Sequence, residues 1–69
     1  MTHGVMLVLV LLISYPIPGG VLPPVRQEFT QVWTDPSALE ECRNTAARWR
    51  NAIAASDSLL SGTPHCDPF

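Results

Sequence analysis

Lysine is absent from this 69-residue chain, and its four cations are arginines that never adjoin one another. Against six acidic residues they leave a net charge of −2, with 14% of residues charged. No basic footprint exists for a nucleic-acid backbone, and none for an anionic lipid surface. Without a Lys-Arg or Arg-Arg pair there is no dibasic processing site. Long apolar runs are missing too. The longest, VMLVLVLLI, covers residues 5–13, well short of the roughly twenty residues a spanning helix requires. Metal-binding spacings such as CxxC or HxxxH do not occur, and the potential ligands His3, Cys42, His65, Cys66 and Asp67 are scattered or adjacent.

Chemistry is equally thin. His65, Cys66 and Asp67 name a base, a nucleophile and an acid, but neighbours on an extended backbone point apart and a terminal tail offers no water-excluding pocket. Glu40 and Glu41 diverge by about 100° on a helix and so form no carboxylate pair. No residue is assigned a catalytic, cofactor-binding or metal role, and the expectation is a protein that is not an enzyme and carries no cofactor.

What is present begins with residues 1–20. The apolar run fits the hydrophobic region of a secretory signal, written as an N-terminal helix, and the Pro and Gly residues after it supply a break near a cleavage site. His3 is the only polar cation-like residue ahead of it, which makes a weak leading region. The alternative is a retained membrane anchor. A helix over residues 1–15 spans about 23 Å, against a hydrocarbon core of about 30 Å, and extending it means crossing several prolines.

Residues 21–34 read as a Pro-rich linker followed by a short helical or irregular segment. Pro16, Pro18, Pro23 and Pro24 favour polyproline-II geometry, and the Phe29, Val32, Trp33 spacing suits a helical turn. Residues 35–61 form the expected amphipathic helix. Asp35 serves as its cap and Pro36 as its first residue, with Glu40 and Glu41 placed where the macrodipole favours negative charge. Leu39, Cys42, Ala46, Trp49, Ile53 and Leu60 then recur along one stripe. Residues 62–69, punctuated by Pro64 and Pro68, form an irregular tail. The expected fold class is therefore mostly α: a hydrophobic N-terminal helix, a Pro/Gly-rich linker, one main amphipathic helix and a tail.

Two cysteines behind a leader-like run point to a Cys42–Cys66 disulfide. That bond conflicts with an unbroken helix. From Cys42 to Ser61 a helix covers about 28 Å, while the five residues onward to Cys66 reach back about 17 Å at most. Disulfide α-carbons lie within about 7 Å. Either the helix stops near Asp57 or Ser58, where Ser56-Asp57-Ser58 compete for backbone hydrogen bonds, or the thiols stay unpaired within the chain.

The functional expectation is a small secreted peptide that binds a receptor or another extracellular protein through the helix. The candidate contact face is Leu39, Ala46, Trp49, Ile53 and Leu60, joined by Trp33 and Phe29. The alternatives are a single-pass membrane-anchored accessory protein docking on a larger complex, with membrane contact only if the N-terminal segment is retained, and a reading frame without evolved function.

Overall fold

The run at residues 5–13 has both the composition and the setting of a strand. Val5, Val8, Val10 and Ile13 are β-branched, and a strand that is apolar on both faces suits the middle of a sheet. In the computed structural model, which describes residues 3–69, strand β1 (Val5–Ile13) is that central strand. It is followed by β2 (Pro16–Ile17), β3 (Gly20–Val21), β4 (Val25–Trp33), helix α1 (Ala38–Ala54), β5 (Leu60–Ser61) and β6 (His65–Pro68). Strands make up 41% of the chain, and no N-terminal helix forms, so the mostly α expectation is overturned.

The reason lies in what β1 meets. Pro18 and Gly19 turn the chain between β2 and β3, with Gly19 at φ 90°, the conformation that the third position of a type II turn demands. That turn returns residues 25–33 antiparallel to β1 in unbroken register, from Val5 opposite Trp33 to Ile13 opposite Val25. The stretch expected to be a helical turn is therefore strand β4, and the expected polyproline linker is largely a hairpin tip. Between β1 and β2 the chain spends two residues, Ser14 and Tyr15; between β3 and β4 it spends Leu22, Pro23 and Pro24. The extra residue falls where two prolines lack an N–H for the ladder, and the pairing slips by one there.

On its other side β1 pairs with β5 and β6, both antiparallel and in one common register. Gly62, Thr63 and Pro64 interrupt what would otherwise be a single strand. A β-carbon at Gly62 would run into the Val10 carbonyl oxygen, and its φ of 151° is one that L side chains rarely adopt. Glycine is thus required there for the close approach to β1. The residues expected to form an irregular tail are instead the second neighbour of β1. Phe69 extends it through backbone bonds with His3 and Gly4.

Helix α1 covers one face of this sheet. Val5, Leu7, Leu9 and Leu11 are buried on that face, and the helix packs Ala38, Cys42 and Ala46, at four-residue steps, into one cluster with Val5 and Leu7. Small side chains let the helix lie close, and Trp33, Trp49 and Cys66 pack around the resulting cluster. The helix is shorter at both ends than the expected 35–61. Its cap position is Ser37, whose hydroxyl turns to Asp35 Oδ1 at 3.3 Å instead of capping a backbone amide. Pro36 lies in the preceding turn. At the far end the Ser56 hydroxyl donates to the Ile53 carbonyl at 2.6 Å and accepts from the Leu60 amide at 3.1 Å. Asp57 and Ser58 then take left-handed φ values of 53° and 67°, reversing the chain toward β5.

The early stop resolves the disulfide conflict. The Cys42 and Cys66 sulfurs are at bonding distance, with α-carbons 6.1 Å apart and a separation of 24 positions in sequence. Closing a loop of that length restricts the unfolded chain by about 3 kcal/mol. Replacing both cysteines by alanine is expected to lower unfolding free energy by about that amount, read from urea titrations of the oxidised and double-alanine proteins. Ser58→Gly relieves a left-handed residue, and a gain of about 0.5–1 kcal/mol is expected in the same titration.

Candidate functional site

The sheet has two faces, and β1 is apolar on both. Residues opposite one another on antiparallel strands share a face. The covered face therefore holds Leu7, Leu9 and Leu11 with Gln31, Phe29 and Gln27. The other holds Met6, Val8, Val10 and Leu12, beside Val32, Thr30, Glu28 and Arg26 of β4 and His65 and Asp67 of β6. No described element packs on this second face. Met6, Val8 and Val10 are half-buried by their neighbours, while Leu12 and Val32 are 40% and 52% exposed. An antiparallel sheet that is covered on one side usually turns polar residues to the other. Here an apolar strip runs the length of the central strand instead, rimmed by Arg26 and Glu28 on one side and by His65 and Asp67 on the other. Arg26 and Glu28 pair at 3.8 Å, both largely exposed. It is the one ion pair among the described residues.

The expected helix stripe is mostly spent inside the molecule. Ala46 is buried against the sheet, and Trp49, Ile53 and Trp33 are half-buried. Leu60 is half-buried on β5, opposite Ile13, and is not part of the helix. Phe29 is 39% exposed, with its ring centroid 5.2 Å from that of Trp49. Leu39 is 42% exposed at the helix start. It borders an open cleft of about 500 Å³ whose other walls include His3, Thr34, Asp35 and Pro68. The structure thus brings Phe29 and Trp49 together and separates Leu39 from both. Strict alternation would have flagged the uncovered strip in sequence, but nine consecutive apolar residues conceal which alternate ones face outward.

Catalytic groupings do not assemble from the residues that named them. On β6, His65 and Asp67 share the uncovered face while Cys66 points to the opposite one and is joined to Cys42. Among the described residues, no group of three His, Cys, Asp or Glu side chains is placed to hold a metal ion. None of their helices is long and apolar enough to cross a membrane.

One carboxylate departs from ordinary behaviour. Glu41 lies in a shallow polar groove between α1 and β4, with Gln31, Trp33, Asn44, Thr45 and Arg48. Its Oε2 is shielded from water without a hydrogen-bond partner. Desolvation is the largest cause raising its pKa from the ordinary 4.5, followed by hydrogen bonding with Asp35 and by the charges of Asp35 and Glu40. Protonation gives Glu41 a donor to offer Asp35, whereas the ionised form faces two like charges. The folded state therefore holds this proton more tightly than the unfolded chain. Its stabilising contribution is in place below the unfolded carboxylate range and is lost as pH rises through the raised value. Glu41→Gln supplies the donor permanently. The variant is expected to melt higher than the parent at neutral pH, with the difference vanishing in acid; scanning calorimetry across that range checks it.

No protein-family model matches the chain, and neither the curated proteins nor the solved structures compared with it give a match.

Proposed function

We propose that this chain is a small binding protein of an oxidising, extracellular compartment, acting on a protein partner through the uncovered face of its sheet. The observation that carries the reading is the apolar strip Met6, Val8, Val10, Leu12 and Val32, left open beside a core that is closed elsewhere. Domains complete themselves by stacking layers on apolar faces, and here one layer is lacking. The occupant that fits is the apolar side of a helix or sheet from a second protein. A rim carrying both signs of charge suits a protein surface better than hydrocarbon. The Cys42–Cys66 pair supports an oxidising compartment, where such bonds persist. Of the contact face expected from sequence, only Leu39 on the helix and Phe29 on β4 are exposed; Ala46 is buried, and Trp33, Trp49, Ile53 and Leu60 are half-buried.

Residues 5–13 supply most of the proposed surface, so the active form keeps them. Expression of the full chain through a secretory route, followed by intact mass with and without reduction, is expected to yield released protein that retains these residues and one disulfide. A photo-crosslinker at Val32 is expected to trap a partner that one at Arg50 does not, and Val10→Asn is expected to abolish the adduct. A released product lacking residues 1–20 would refute the surface, and full-length protein held in a lipid fraction would favour the anchored alternative.

A further inference from the structure

Strand β4 is an edge. It pairs with β1 on one side only, over nine residues without a bulge, and its other side carries a full row of free backbone donors and acceptors. Proteins usually blunt such an edge with lysine, with an internal proline, with a bulge or by shortening the strand. The opposite edge of this sheet follows that rule: β5 has two residues, β6 has four, and Gly62, Thr63 and Pro64 separate them. β4 has none of these protections. Its prolines, Pro23 and Pro24, lie just outside it, and its two charges, Arg26 and Glu28, sit near one end and pair with each other.

We propose that β4 pairs with β4 of a second copy, antiparallel about a two-fold axis through Phe29, joining two sheets into one. The register follows from the sequence of the strand. Centred on Phe29, all nine residues of each strand are paired: Val25 with Trp33, Arg26 with Val32, Gln27 with Gln31, Glu28 with Thr30. No like charges oppose one another. Sliding two residues toward the prolines sets Glu28 against Glu28 and brings Pro24 and Pro23 opposite Val32 and Trp33. Sliding the other way leaves Val25 and Arg26 without strand partners. A nine-residue antiparallel pair exchanges about eight to ten backbone hydrogen bonds, as many as a whole protein–protein interface of ordinary size, about ten. The axis stands perpendicular to the sheet, so both helices lie on the same side. The occupant is thus a second copy of this chain, bound at an edge and independent of whatever covers the sheet face.

The test uses the full chain and exploits that register. Gln27 and Gln31 are exposed, lie on the helix side of β4, and oppose each other twice across the axis. Sedimentation equilibrium is expected to show twice the 7.5 kDa chain mass for the parent protein. Gln27→Glu with Gln31→Glu places two like-charge pairs across the axis and is expected to weaken the dimer about tenfold or more. Gln27→Glu with Gln31→Lys makes both pairs attractive and is expected to keep it. Circular dichroism confirms that both variants fold. A parent protein that stays monomeric up to its solubility limit overturns the proposal, as does a dimer on which the two variants act alike. Neither pair of substitutions touches the uncovered face, so Val32 crosslinking to another protein is read separately.

Discussion

Every other contact in this molecule is subordinate to the flanking of one apolar strand on both sides. Residues 5–13 pair along their whole length with β4, and on the opposite edge with the two short strands that end the chain. Leu7 and Leu9 are almost fully enclosed as a result, and the helix has a floor to lie on. Remove that strand and the floor is gone: β4 and β6 touch each other nowhere except through it. The disulfide acts on the same arrangement from above, tying the helix at Cys42 to β6 at Cys66, which faces Leu7 across the ladder.

This dependence sharpens a tension within the N-terminal segment. The composition that suits an export leader, a chargeless run of valine and leucine, is also the composition of a strand buried in mid-sheet. The same residues cannot be cut away and also complete the fold. With residues 1–20 removed, Ala38, Cys42 and Ala46 would face water instead of leucine, and β4 would have no neighbour at all.

The helix and the disulfide were both legible in the residues; the sheet was not. Alternating three- and four-residue steps from Leu39 through Ile53 marked the helix. Chain geometry shows that pairing Cys42 with Cys66 needs the helix to stop by about Asp57 or Ser58, and it ends a turn earlier, at Ala54. What misled was local periodicity. Val25 to Trp33 has no clean alternation, because its covered face mixes Val25, Gln27, Phe29, Gln31 and Trp33; its strand character comes from pairing with β1, a partner twenty residues away in sequence. Pro18–Gly19 was the missed local cue, a turn dipeptide between two β-favouring runs. The helical stripe is plain in the sequence but its direction is not, since a helix pattern says which residues share a face and not what lies against it. The uncovered strip is hidden for the opposite reason, lying within a run where every residue is apolar.

The hairpin tip has a practical consequence. The Cα positions extend 53 Å along the longest axis against 18 Å and 11 Å across, and residues 15–20 are all exposed. A β-carbon added at Gly19 or Gly20 meets nothing within 4 Å. The turn they belong to contributes no side chain to the leucine core, so an epitope or fluorophore spliced there stands clear of the helix and the disulfide. The molecule thus comes with its own handle, placed where immobilising it on a surface leaves the sheet and helix free in solution.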